Sequence, residues 1–375
     1  MMATKVLFVS SHSRDGGSET YLLNLLEELG ATWVAGVVCL EQGPFVERLR
    51  GRRLSPEVLQ TGGSSLQIAV TAWKLRSIVR RIRPDVIHAN GIKAALVAVL
   101  AVGSSRVPVV WVKHDFSWDG RLAAFIGHRC QQIVGVSTAV TRTFASDLKR
   151  RIHVVPPGIA ESLLTPGRAH ATEELASPVR KSEETVLLVG RLDPLKGHIE
   201  AVEIAPQVLR RRRDVVFLLV GPESPDYPHF REQLEERIND LGLDDTVRIL
   251  GFRPDAVALM ARSDVVLMPS LARNAGADIE GAPLAALEAM AVGATVVGYA
   301  VGGLPEVLGD CGILVPAGDR RALADQVVEA LADATLRRNL GSCGRQRVRT
   351  LFTLPQTARA MKERYREAAM ARAGR

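Results

Sequence analysis

Hydrophobic positions in this chain fall in short β-branched runs, each followed by a turn and then by a stretch with helical spacing. The cycle repeats along nearly the whole length and predicts parallel sheets covered by helices, because strands buried on both faces read as continuous apolar runs. In the first half the expected strands are 5–10 (KVLFVS), 32–40, 85–89, 107–113, 132–136 and 152–156. In the second half they are 185–190 (TVLLVG), 214–221, 246–252, 264–270, 294–299 and 312–316. Residues 157–184 lie between the two sets, carry Pro, Gly, Ser, Ala and charge without a period, and read as a linker.

At 375 residues the chain exceeds what one core usually organises, so two doubly wound α/β domains are expected. The expected boundaries are 1–170 and 180–354, with a final helix at 355–375 that carries Ala358, Met361 and Tyr365 on one side. The longest apolar run, Ala94 to Val102, is nine residues, against the roughly 20 a membrane-spanning helix needs, and is expected to be a buried helix. The first residues run from a short apolar stretch straight into glycines, without a signal-peptide layout, so a cytoplasmic protein is expected. Cys39, Cys130, Cys311 and Cys343 are far apart and lack metal spacing, which predicts reduced thiols in that compartment.

Charge adds an asymmetry. Lys plus Arg minus Asp plus Glu is 20 minus 12, or +8, over residues 1–167, and 28 minus 29, or −1, over the remainder. Much of the excess lies in TAWKLRSIVRRIRPD, where Ile78, Val79 and Ile82 alternate with Arg76, Arg80, Arg81 and Arg83. This basic amphipathic helix is a solvated surface helix on the plainest reading and a peripheral membrane contact on the other. Nucleic acid is a weaker match, because few aromatics stand among the basic clusters.

Three stretches carry candidate chemistry. In SSHSRDGGSETYLLNLL, Gly16 and Gly17 follow a strand and precede a helix with Ser18 as its expected cap, a turn whose amides can approach an anion; G-x-G-x-x-G is absent. In GRLDPLKG, residues 190–197, Arg191 offers a fork of donors and Lys196 a point charge at the carboxyl end of a strand, a pairing suited to a diphosphate. In EGAPLAALE, Glu280 precedes a helix whose first turn holds Pro283 and Leu284, and Glu288 lies about 7.5 Å further along its axis. One carboxylate then reaches a group at the helix mouth while the other accepts hydrogen bonds from a vicinal diol on its flank. Each stretch also has a plain structural reading: a tight turn, surface cations, and two helix acids, one of them complementing the dipole. His88 and His114 at strand ends are by themselves structural candidates, and GGLPEVLGDCGILVPAGD adds a further Gly pair before Glu306. There is no G-x-S-x-G, no H-E-x-x-H and no Asp-x-Asp.

Taken in order, the glycine pair with Ser-Glu, the strand-end His, VPPG, GRLDPLKG, E-x7-E ending in LEAMAVGATVV, and GGLPEVL with GILVPAGD resemble the family 4 glycosyltransferases of GT-B architecture over nearly the whole chain. The resemblance implies two Rossmann-like domains facing across a cleft, with a nucleotide sugar held mainly by the second and an acceptor mainly by the first. It also implies a last helix that crosses back to the first domain. By position, Arg191 and Lys196 would bind the diphosphate, Glu288 the ribose hydroxyls and Glu280 the donor sugar. His114 would lie near that sugar and Gly16 and Gly17 opposite it. Backbone at Phe252 and Arg253 would meet the base, and amides near Pro283 and Leu284 the phosphates. The implied reaction is retaining sugar transfer to an acceptor hydroxyl with no required metal or other cofactor. Attack from the leaving-group side is favoured over a Glu280 nucleophile. The acceptor is left open between lipid-linked or otherwise anionic molecules, soluble metabolites and natural-product scaffolds, with peripheral contact at the inner face of a membrane an accompanying alternative. Rival readings are a GT-B sugar-nucleotide epimerase and a non-catalytic sugar-nucleotide-binding subunit. The chain departs from the family in having Glu-Gly-Ala-Pro where Glu-Gly-Phe-Gly is common, and in the longer approach LARNAGAD at 271–278.

Overall fold

The computed structural model describes residues 4–14, 16–103, 105, 107–116, 118, 120–165, 183–271 and 280–373. Most of the expected linker, and all of LARNAGAD except Leu271, lie outside them. The chain forms two compact units, one of Met1–Gly158 with Leu354–Arg375, the other of Ile159–Thr353. The change of unit therefore precedes the residue-170 boundary expected above: Ile159 and Leu164 join a core of the second unit.

The first unit runs β1 (Val6–Ser10), α1 (Gly17–Leu29), β2 (Val34–Cys39), α2 (Pro44–Gly51), β3 (Glu57–Val58), α3 (Ser65–Ile82), β4 (Val86–Asn90), α4 (Ile92–Val102), β5 (Val109–Lys113), α5 (Arg121–Arg129), β6 (Gln132–Gly135) and β7 (Ile152–Val154). The strands form one parallel sheet in the order β3-β2-β1-β4-β5-β6-β7. Six of these match the expected strands. The two-residue β3 escaped because it is too short to show a period.

Each helix buries the stripe its spacing dictates. α3 begins at a capping box in which Ser64 accepts from the Gln67 amide and the Gln67 side chain accepts from the Ser64 amide. It buries Thr71, Ala72, Leu75, Ile78 and Val79 and stops at Arg83, whose left-handed φ of 52° precedes Pro84. α4 is the expected buried helix.

The second unit runs β8 (Glu184–Val189), α6 (His198–Leu209), β9 (Val215–Val220), α7 (Phe230–Asp240), β10 (Val247–Gly251), α8 (Ala256–Arg262), β11 (Val265–Met268), α9 (Leu284–Val292), β12 (Val296–Tyr299), α10 (Leu304–Leu308), β13 (Ile313–Val315), α11 (Arg320–Ala332) and α12 (Ala334–Leu351). Its sheet is also parallel, ordered β10-β9-β8-β11-β12-β13. Counted from the first strand of each unit, both sheets share the order 3-2-1-4-5-6, which places a topological switch point between β1 and β4 and between β8 and β11. Open α/β sheets bind ligands beyond the carboxyl ends of the strands at that point.

The last helix, α13 (Leu354–Ala373), returns to the first unit and packs on α1. Ala358, Met361 and Tyr365 are buried there as the spacing predicts. The Tyr365 hydroxyl and His88 Nδ1 are 2.6 Å apart, and Thr357 Oγ1 donates to the Pro156 carbonyl at 2.9 Å.

One expectation is overturned. Cys311 and Cys343 form a disulfide, whereas Cys39 and Cys130 are free and buried. The spacing of 32 residues concealed the pair, because only the packed fold brings the two Cα atoms to 5.2 Å.

Candidate active site

The loop after β8 is built around its own acid. The Asp193 carboxylate accepts the Leu195 amide at 2.9 Å, capping a short turn that opens on Pro194, and pairs with Arg191 Nη2 at 3.3 Å. Gly197 closes the turn at φ +78°, and a side chain there would collide with the Pro269 carbonyl. The consequence is that Arg191 and Lys196 leave the same turn together. Arg191 Nε is buried without a partner among the described residues, a donor held ready.

Glu280 belongs to the same cluster. Its backbone is gripped by the Gly303 amide, which donates to its carbonyl at 2.8 Å, and by Gly302 at φ +57°, where a Cβ would strike that carbonyl. Its buried carboxylate pairs with Lys196 Nζ and accepts Ser270 Oγ at 3.0 Å. Burial pushes the Glu280 carboxyl up, but Lys196, Ser270 and Arg191 outweigh it and hold the group below the usual carboxylate range. It is a fixed anion beside two cations.

α9 begins two residues after Ala282. Pro283 occupies the cap position and its carbonyl accepts from the Ala286 and Leu287 amides at 3.1 and 3.3 Å, so the expected first-turn proline sits one residue earlier, just outside the helix. The amides of Leu284 and Ala285 are the first of the helix and have no acceptor within it. Glu288 is the fifth helical residue, and burial pushes its carboxyl up to about 7. The two acids of EGAPLAALE thus differ in kind. Phe252 is exposed directly after β10, and Arg253 makes a two-pronged bond to Asp255, each at 2.7 Å.

In the first unit the helix cap lies at Gly16 rather than at the expected Ser18. Gly16 is extended and its carbonyl already accepts the Thr20 amide at 3.0 Å, so α1 starts at Gly17 and Ser18 is inside it, its hydroxyl on Glu19. His114, just beyond β5, has Nε2 2.6 Å from Asn90 Oδ1 and meets Tyr21 edge-on at 4.9 Å between ring centroids. Burial lowers the His114 pKa to about 4, against the pull of Asp115 and with the help of Lys113; burial likewise lowers His88 to about 3. Both rings are neutral near pH 7.

Family models for "Glycosyltransferase Family 4" and "Glycosyl transferases group 1" match residues 15–163 and 183–333. The D-inositol 3-phosphate glycosyltransferase of Corynebacterium efficiens is 30% identical over 82% of this chain and 77% of its own length. The chain belongs to glycosyltransferase family 4. A second family 4 relative, the GDP-mannose-dependent alpha-(1-6)-phosphatidylinositol monomannoside mannosyltransferase of Mycobacterium tuberculosis, is 31% identical over 68% of this chain and 69% of that one. Among solved structures, Anabaena Alr3699/HepE in complex with UDP-glucose superposes with a TM-score of 0.85 at 24% identity, covering 97% of this chain and 99% of that one. Sucrose-phosphate synthase from Thermosynechococcus elongatus gives 0.79 at 23%, covering 98% and 100%. The fold is GT-B, and the protein is a glycosyltransferase of the kind that uses a nucleotide sugar.

For a family 4 enzyme the grouping is informative. Arg191, Lys196 and Glu280 share one cluster in the second unit, with Leu284 and Glu288 on the helix that follows Glu280 and Pro283 at its cap. Phe252 and Arg253 stand at the end of the edge strand β10, and Gly16, Gly17 and His114 belong to the first unit. Sequence reasoning missed Asp193, Ser270, Asn90 and Tyr21. Of these, only Asp193 had a visible signal, an Asp-Pro pair at a turn start.

Proposed function

We propose that the enzyme transfers a sugar from a nucleotide diphosphate sugar to an acceptor hydroxyl with retention at the anomeric carbon, from the leaving-group side and without a required metal. The observation that carries this is the gathering of Arg191, Lys196, Ser270 and Glu280 beyond β8 and β11, at the switch point of the second sheet. Two cations and the first amides of α9 are suited to the charge that builds on a departing diphosphate, the part a divalent ion plays elsewhere. The anomeric carbon loses its bond to the phosphate oxygen, whose electron pair stays with the diphosphate, and gains a bond to the acceptor oxygen. The acceptor proton passes to the departing phosphate. Glu280, held ionised by its cations, is suited to accept donor-sugar hydroxyls, and Glu288 to accept the ribose diol.

The acceptor we infer is an anionic polyol or its lipid. The named relatives act on inositol 3-phosphate and on phosphatidylinositol mannoside, and residues 1–167 carry the +8. The outward face of α3 fits an anionic membrane surface: Leu66 and Trp73 are about 70% exposed at 73% and 69%, Val70 is exposed beside them, and Lys74 and Arg80 flank them. No helix among the described residues is long and apolar enough to cross a membrane.

A thermal-shift panel of nucleotide sugars identifies the donor, since a ligand well above its dissociation constant raises stability. Incubation of that donor with inositol phosphates or phosphatidylinositol lipids, followed by assignment of the product anomer, then tests transfer. Retained configuration in chelator is expected. Inversion, or an absolute divalent requirement, contradicts the mechanism; conversion of donor without acceptor indicates an epimerase. Co-sedimentation with phosphatidylglycerol vesicles but not phosphatidylcholine vesicles, lost in Trp73→Glu, is expected of the α3 surface.

A further inference from the structure

Beyond the donor cluster, the part-buried polar chain at the carboxyl edge of the first sheet has a definite hydrogen-bond direction. Asn90 ends β4, next to β1 on one side and β5 on the other, and is 1% exposed. Its Nδ2 donates to the Ser18 carbonyl at 3.2 Å. A carbonyl can only accept, so this bond orients the amide and turns Oδ1 toward His114. Oδ1 can only accept in its turn, and the 2.6 Å contact therefore requires a proton on His114 Nε2. Ser18 lies in the first turn of α1, just past Gly16 and Gly17, so one amide ties the glycine turn to the histidine. Tyr21, also on α1, braces the ring edge-on.

We propose that Asn90 is a positioning residue that holds His114 as the tautomer protonated on Nε2, leaving Nδ1 to accept a hydrogen bond from a hydroxyl of the donor sugar. The sugar half of this statement rests on the donor-side reading of His114 given above; the tautomer half does not. The ring is neutral near pH 7, since burial outweighs Asp115 and Lys113 adds to it, so the second nitrogen carries a lone pair rather than a proton. A histidine in this state recognises a hydroxyl and does not act as a proton donor through Nδ1. It also disfavours a donor whose hydroxyl at that position is missing or capped, because the half-buried acceptor then loses its partner.

Nitrogen NMR of the full chain, with its histidines labelled at both ring positions and His114 assigned through a His114→Gln variant, tests the tautomer directly. The expected wild-type spectrum at neutral pH shows His114 Nε2 protonated and Nδ1 bare. Asn90→Leu should mix the tautomers and lower kcat about 10-fold, while the affinities for UDP and GDP, which lack the sugar, change less than about 2-fold. Asn90→Asp, whose carboxylate accepts from Nε2–H but favours the doubly protonated ring and cannot donate to the Ser18 carbonyl, should raise the His114 pKa and leave the rate low. A bare Nε2 in the wild type overturns the proposal, as does wild-type turnover in Asn90→Leu. Should Asn90→Leu fail to fold, the wild-type spectrum still decides the tautomer. Unchanged turnover in His114→Ala overturns the sugar half alone, and leaves the diphosphate reading of Arg191 and Lys196 to its own variants.

Discussion

The two units share a strand order and differ in what they place at the switch point. At the ends of β4 and β5 and the start of α1 the first unit sets a neutral chain of Ser18, Asn90, His114 and Tyr21; beyond β8 and β11 the second sets Arg191, Lys196, Glu280 and Ser270. A shared order of six strands thus carries two different sets of side chains. Neutral groups discriminate hydroxyls by direction, whereas paired charges stabilise a diphosphate by field and are themselves stabilised by each other.

The difference is sharpest in turnover. Arg191→Ala or Lys196→Ala should each lower sugar transfer on the order of 100-fold in steady-state assays, since on the proposed function each removes a donor to the leaving group. His114→Ala, which removes one acceptor from a neutral site, should cost nearer 10-fold. Equal losses in both units would erase the distinction.

Response to pH separates the units next. Neither His114 nor His88 changes charge near neutrality, since desolvation lowers His114 to about 4 and His88 to about 3. Glu288 does, because burial raises it to about 7, and a ribose diol favours its ionised form. Affinity for the donor, measured with a nucleotide sugar whose diphosphate diester does not titrate near neutrality, should rise with pH through about 7 and then level; Glu288→Gln should flatten the profile. The same raised acid favours the fold below its unfolded value and loses that contribution as pH rises through about 7, so Glu288→Gln should also gain melting temperature relative to wild type at higher pH.

Smaller effects follow from the frameworks. Cys343→Ser should lower the stability of the second unit by about 4 kcal/mol, read as a shift in its denaturant midpoint, since the bridged cysteines are 32 positions apart. Tyr365→Phe should cost the first unit about 1 kcal/mol by removing the bond to His88.

Much of this was legible in the amino-acid order. Twelve of the thirteen strands announce themselves as short apolar runs, the central ones buried on both faces, and Arg191 with Lys196 is visible because both lie on one local turn. Partners brought from afar were silent. Ser270 reaches Glu280 across ten positions, Asn90 reaches His114 across 24, and Cys311 meets Cys343 only after α10 and α12 have packed. The two acids of EGAPLAALE look alike in sequence. Packing separates them, because Lys196 reaches Glu280 while Glu288 stands half-buried on the flank of a helix with its carboxyl pushed up.

The central claim is that Arg191 and Lys196 hold the donor diphosphate, and isothermal titration of UDP and GDP into wild type and into Arg191→Ala/Lys196→Ala tests it most directly. At least one nucleotide should bind the wild type and bind the double variant on the order of 100-fold more weakly. Equal affinity in the two proteins would contradict the account.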